Sequence, residues 1–222
     1  MRNPSSYIGV GIYTIPQAAK LLRVNGNLLH YWVGDRAGTE SIIQRTLKSD
    51  ELLTFEELME LHFVKLFLDQ KVSLQTIRKA AREAARKFHS EYPFTVKRFD
   101  TDGRSIFATL RSEARQVDLV EELKHGQLVF QQMVKPFFKK LDYRSTDNIE
   151  RFWPLTKSGR VVLDPNKRFG EPIDAATGVP TEAIFKAFRA GDGQDAPTVA
   201  KWFDIPLEAV KAAVQFEQSL AI

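Results

Sequence analysis

The chain contains four histidines, His30, His62, His89 and His125, and no cysteine. The histidines fall in different expected elements, and no two have a metal-ligand spacing. Without cysteine there are no disulfides, thiolate zinc sites or cysteine nucleophiles. No glycine loop has the pattern that cradles phosphates, and TDGRS (101–105) and KSGR (157–160) read as turns. Asp164 followed by Pro165 reads as a turn at a strand end rather than as a carboxylate site. Magnesium-dependent hydrolysis needs several clustered carboxylates, and the sequence offers no such cluster. The residues therefore point to a non-enzymatic protein with no cofactor or metal, and to binding as its chemistry.

What it binds is suggested by charge. The 222 residues carry a formal net charge of +4. Residues 1–99 hold 15 Lys/Arg against 10 Asp/Glu, 100–150 hold 8 against 9, and 151–222 hold 9 against 9. The excess lies in the first segment, as phosphate binding requires. No apolar run approaches the length of a membrane span, and the first residues lack the apolar core of a signal peptide. With the absence of cysteine, the expected location is the cytoplasm.

The elements that would position such contacts fall into three regions. Residues 1–90 are helical with one polar interruption, 91–158 mix strands and a helix, and 159–222 form a trihelical unit. The fold class is thus mainly α with a small α+β middle. No internal repeat at a fixed period is evident. In the first region Thr14 is an N-cap, and Pro16 sits in the first turn, where its missing N–H costs nothing. Ala18, Ala19, Leu21 and Leu22 recur at helical spacing. The run stops at VNGN, where Gly26 and two asparagines suit a tight corner. A second helix, NLLHYWVG, follows. Strand IIQRTL (42–47), turn KSDE and strand LLTF (52–55) read as a hairpin. Leu58, Leu61, Phe63, Val64, Phe67 and Leu68 form a stripe on the next helix, and Ser73 caps another carrying the basic run 78–87. In the middle region SIFATL (105–110), VDLVE (117–121) and IERFWPL (149–155) read as strands, with a helix in VFQQMVKPFFKKL. In the last region Thr181 caps a helix ended by Gly191. Pro197 begins a second with Val199, Trp202 and Phe203 inward, and a third buries Val210, Ala213, Val214 and Phe216.

The segments IPQAAKLLRVNGNLLHYW and LTFEELMELHFVKLFLDQKVSLQTIRKAAREA, with the hairpin between them, resemble the MerR-type winged helix-turn-helix. The resemblance covers about a third of the chain. It implies that helix 27–33 enters the major groove of double-stranded promoter DNA and that the wing touches the backbone. By position it carries DNA contacts onto Asn25, Asn27, Leu28, His30 and Tyr31 at the recognition helix, and onto Gln44 and Arg45 on the wing. The family often has arginine where this chain has His30, a weaker phosphate partner. Trp32 is read as core. The long dimerising helix of that family is missing, so dimerisation must come from elsewhere.

The segments VVLDPNKRFGEPIDAATGVPTEAIFKAFRAG and APTVAKWFDIPLEAVKAAVQFE resemble the VapB-type antitoxin domain, domain-of-unknown-function family 433. That resemblance implies a PIN-like ribonuclease toxin as partner. Lys167, Arg168 and Phe169 are the expected toxin contact, because two cations and an aromatic on one loop suit an acidic cleft. Together the two resemblances imply a homodimeric antitoxin that represses its own promoter. A pure interaction module, and a regulator that senses a ligand in its middle region, remain open beside it.

Overall fold

A computed structural model describes residues 9–34, 41–47, 51–114, 117–145, 148–157, 159–190 and 195–221. The chain is mainly helical with two small sheets, in line with the expected class. Strand β1 (Ile12–Thr14) leads into α1 (Ile15–Leu22) through a capping box. The Thr14 hydroxyl accepts the Gln17 N–H, and the Gln17 side chain accepts the Thr14 N–H. Helix α1 ends at Arg23, whose φ of 54° is left-handed, and not at Gly26. Gly26 instead opens α2 (Gly26–Val33), which Asn25 caps by accepting the Asn27 N–H at 2.8 Å.

The expected wing strand at 42–47 does not form. Ile42 and Ile43 are both buried, which breaks the alternation that a strand needs. The segment is pinned irregularly, with Ile42 N–H donating to Trp32 O at 3.1 Å. Strand β2 (Leu52–Thr54) pairs antiparallel with β1, Ile12 opposite Thr54, rather than with 42–47. Most of the expected KSDE turn lies outside the described residues, as does Gly191.

Helix α3 (Phe55–Asp69) opens with a second capping box, Thr54 with Glu57, and is buried on nearly every face rather than along one stripe. Helix α4 (Leu74–Phe88) is capped by Ser73, as expected. Two expected strands of the middle region are helices. SIFATL lies in α5 (Phe99–Glu113) and VDLVE in α6 (Val117–Val129), which continues as a π-helical run (Phe130–Val134) into α7 (Lys135–Phe138). TDGRS is likewise helical, not a turn. Glycine here serves close packing. A Cβ on Gly103 would lie 2.3 Å from the Phe130 ring, and one on Gly126 would lie 2.7 Å from the Phe107 ring. One phenylalanine-rich core runs from Tyr13 to Leu163 through both regions, with Phe63, Phe99, Phe137 and Phe138 in ring contact around α3.

A four-stranded antiparallel sheet joins that body to the last region. Its order is β3 (Leu141–Tyr143), β4 (Ile149–Phe152), β5 (Val161–Leu163) and β6 (Pro172–Asp174). Arg160 grips Asp174 through two hydrogen bonds of 2.6 and 3.0 Å. Helices α8 (Thr181–Ala190), α9 (Ala196–Phe203) and α10 (Leu207–Ser219) close a small core of Ile184, Val199, Ile205, Val210 and Ala213. Thr181 is the first residue of α8, and its hydroxyl donates to Glu217 at 2.6 Å. Trp202, expected inward, is 67% exposed.

A repeat that the sequence hides appears at this level. The helix pair α9–α10 matches α1–α2 position by position: Pro16 with Pro197, Ala19 with Ala200, Lys20 with Lys201, Leu29 with Val210. Thr14 and Asp195 cap the third residue onward alike. Arg23 and Asp204 end the first helix alike, at φ 54° and 51°. Val24 N–H donates to Ala19 O as Ile205 N–H donates to Ala200 O, both at 3.0 Å.

Candidate nucleic-acid interface

Helix α2 has two faces. Leu29, Trp32 and Val33 are buried, Trp32 as expected, and they fix α2 against α1 and the body. Asn27, Leu28, His30 and Tyr31 are exposed on the outside. Leu28 and Tyr31 are left 44% and 40% exposed on that outer face. The structure thus brings these four expected residues together. Asn25 stands at the same end, but its side-chain oxygen is engaged as the N-cap.

The two residues assigned to the wing part company. Gln44 is exposed and borders a groove against Arg78 and Arg82 of α4. Arg45 points inward. Its Nη1 donates to Val33 O at 3.1 Å, its Nη2 donates to Leu52 O at 2.7 Å, and Nε lies 3.5 Å from the Glu57 carboxylate. The sequence signal for this role was Glu57, the third residue of the apolar α3 segment, a charge that needs a cation once it is buried.

The edge of the helix pair is tied to the end of α10. Lys20 Nζ donates to Glu217 at 2.8 Å, Arg23 to Ser219 at 2.9 Å, and Leu21 packs on Val161, Phe216 and Leu220. The last region therefore braces the first, a contact that no sequence reading above anticipated.

Lys167, Arg168 and Phe169 lie together on one exposed loop, and Phe169 is 65% exposed. Arg168 and Phe169 hold left-handed φ of 47° and 55°, which costs on the order of 1–3 kcal/mol per residue unless the surroundings impose it. The surroundings do. Asp164 accepts the Asn166 N–H at 3.0 Å, and the Tyr13 hydroxyl donates to Gly170 O at 2.7 Å. Asp164 and Pro165 form the expected turn.

Among the described residues no group of three or more His, Asp or Glu side chains converges to hold a metal. The histidines serve separate places. His62 lies between the Phe137 and Phe152 rings at 5.4 and 5.0 Å, where burial lowers its pKa to about 3. The His125 ring meets Gln70 O at 2.6 Å, and His89 is the left-handed C-cap of α4. No described helix is long and apolar enough to cross a membrane.

Fold and surface together define a mainly helical protein built on two equivalent helix pairs, one of which presents a polar and aromatic helix face. No family model matches the chain. It is similar to a protein of Mycobacterium tuberculosis (strain ATCC 25618 / H37Rv) named "Putative antitoxin VapB45", with 24% identity over 203 residues, covering 82% of this chain and 84% of that protein. Its fold is similar to the crystal structure of Rv2018 from Mycobacterium tuberculosis, with a TM-score of 0.75 and 19% identity, over 94% of this chain and 99% of the other.

Proposed function

We propose that this protein is the antitoxin of a toxin–antitoxin pair and represses its own promoter as a dimer. The first helix pair is read as a MerR-like helix-turn-helix, and the last region as a domain like that of family 433. The observation that carries the DNA half is the outer face of α2, with Asn27, Leu28, His30 and Tyr31 exposed on a helix whose other face is locked. A helix so held fits a major groove about 12 Å wide without rearrangement. There an amide reads base edges, an apolar group meets a thymine methyl, and a phenol or imidazole reaches a phosphate. The cation excess of residues 1–99 supplies the nonspecific attraction. The antitoxin half is supported by the name of the similar protein. A PIN-like ribonuclease is the toxin this reading implies. The rigid loop of Lys167, Arg168 and Phe169 is its proposed contact, since two cations and an exposed ring suit an acidic, magnesium-binding cleft.

The test is genetic and biochemical together. The product of the neighbouring gene is expressed alone and with this protein. The reading expects growth arrest alone, relief on co-expression, and co-purification as a stable complex. A neighbour that is harmless alone, or that arrests growth equally in both cases, overturns it.

A further inference from the structure

The two helix pairs are used in opposite ways. In the first, the face formed by Lys20, Leu21 and Arg23 is covered by the end of α10, while the outer face of α2 is open. In the second, Ala212 on the outer face of α10 packs, as Leu155 does, against the apolar cluster of Val161 and Phe216, and Lys211 and Gln215 line a cavity with residues of the 155–160 segment. Here the face formed by Lys201, Trp202 and Asp204 is open, and all three residues are exposed. The first pair establishes that these three positions address one surface together. In the second pair, that surface presents a tryptophan 67% exposed.

We propose that Lys201, Trp202 and Asp204 form a self-complementary face on which a second copy of this chain docks. The cover used in the first pair is not available for this, because Phe216, Glu217 and Leu220 are already buried against α1. The open face carries its own complement. One cation and one carboxylate flank the tryptophan; among the described residues neither side chain has a hydrogen bond or an ion pair within 4 Å, and the Lys201 charge acts only at longer range on Asp195 at the start of α9. Across a two-fold axis through Trp202, Lys201 meets the second copy's Asp204 and the reverse, so two symmetric ion pairs form. An exposed tryptophan at the centre of paired charges is the composition of an interface hot spot. The first pair lacks this option, since Arg23 stands where Asp204 does and two copies would oppose cations. The inference rests on the function above only in that a two-fold DNA site requires two copies.

The experiment reads mass without DNA or toxin. Full-length protein at micromolar concentration is measured by sedimentation equilibrium. The expected mass is twice 25.3 kDa. Trp202→Ala, Lys201→Glu and Asp204→Arg each shift the chain to monomer or weaken dimerisation at least tenfold. Combining Lys201→Glu with Asp204→Arg restores the dimer, because the charges are again complementary. Arg23 holds the same left-handed backbone as Asp204, so arginine is tolerated there. Circular dichroism on each variant confirms the fold. A wild type that is monomeric, a dimer indifferent to all single variants, or a Trp202→Ala protein that stays dimeric while losing only its toxin overturns the proposal. Loss of DNA binding by a protein that still dimerises bears on the function above and not on this face.

Discussion

Arg45 is the residue on which sequence and structure give opposite expectations. Placed on a wing, it would touch phosphate, and Arg45→Ala would weaken DNA binding while leaving the fold intact. In the structure its guanidinium ties the end of α2, through Val33 O, to β2, through Leu52 O. Its side chain is 14% exposed and that of Glu57 is 0% exposed. Each hydrogen bond from a charged donor is worth roughly 1.5–3 kcal/mol, so the gross loss on truncation is about 3–6 kcal/mol. Glu57 keeps the N–H groups of Thr46 at 2.7 Å and Thr54 at 2.8 Å, so its carboxylate is not left bare. That places the net cost near the lower end, about 3 kcal/mol. For a chain of this size it corresponds to a fall in Tm of about 6–12 °C. Arg45→Lys recovers less than half, because one ammonium cannot span both carbonyls. Thermal unfolding followed by circular dichroism is the assay. An Arg45→Ala protein that melts with wild type refutes the inward role and returns Arg45 to the surface.

Other expectations follow from buried charge. Burial raises the Glu60 carboxyl from 4.5 to about 8, against the pull of the Phe94 and Thr95 N–H groups, so its contribution is full below pH 4.5 and is lost as pH rises through 8. Burial, then Lys65, Lys140 and Arg23, lowers His62 from 6.5 to about 3, so its contribution is full above pH 6.5 and is lost as pH falls toward 3. Urea midpoints measured across this range should fall on both sides. Glu60→Gln should flatten the alkaline limb and His62→Phe the acid limb, and a variant that leaves its limb unchanged removes that group from the account. Glu217→Ala, which strands the buried Thr181 hydroxyl, should cost about 2 kcal/mol by urea denaturation, whereas Glu217→Gln, which still accepts from Thr181, should cost under about 1 kcal/mol. Lys167→Ala combined with Arg168→Ala should weaken toxin inhibition without lowering Tm, since both side chains are exposed; full inhibition moves the contact elsewhere.

Helix starts were legible because their chemistry is local. Thr14, Ser73 and Pro197 mark α1, α4 and α9 from side-chain type alone. The last region, with its short helices and turns, was readable for the same reason. Helices α5 and α6 were not. Gly103 reads as a breaker, and its purpose, room for the Phe130 ring, exists only once α5 meets the π-helical run that follows α6. The partner of β2 could not be read either, since pairing with Ile12–Thr14 rather than with the adjacent segment is settled by tertiary packing. At the candidate interface, the general tendency of tryptophan to be buried placed Trp32 in the core correctly. It failed at Trp202, because an exposed and a buried tryptophan look alike until the neighbouring helices are in place. The reading failed at Arg45 because the carbonyls that hold it, 12 and 7 residues away, close on it only when the 42–47 segment folds irregularly rather than as a strand.

The central claim is that the outer face of α2 reads DNA, and fluorescence anisotropy with a duplex from upstream of the protein's own gene tests it most directly. Wild type should bind that duplex far more tightly than a scrambled one, with affinity falling steeply as salt rises. Asn27→Ala combined with Tyr31→Ala, both on the open face and outside the core, should abolish that preference while leaving Tm unchanged. Equal binding of both duplexes by wild type, or an undiminished preference in the double variant, would contradict the account.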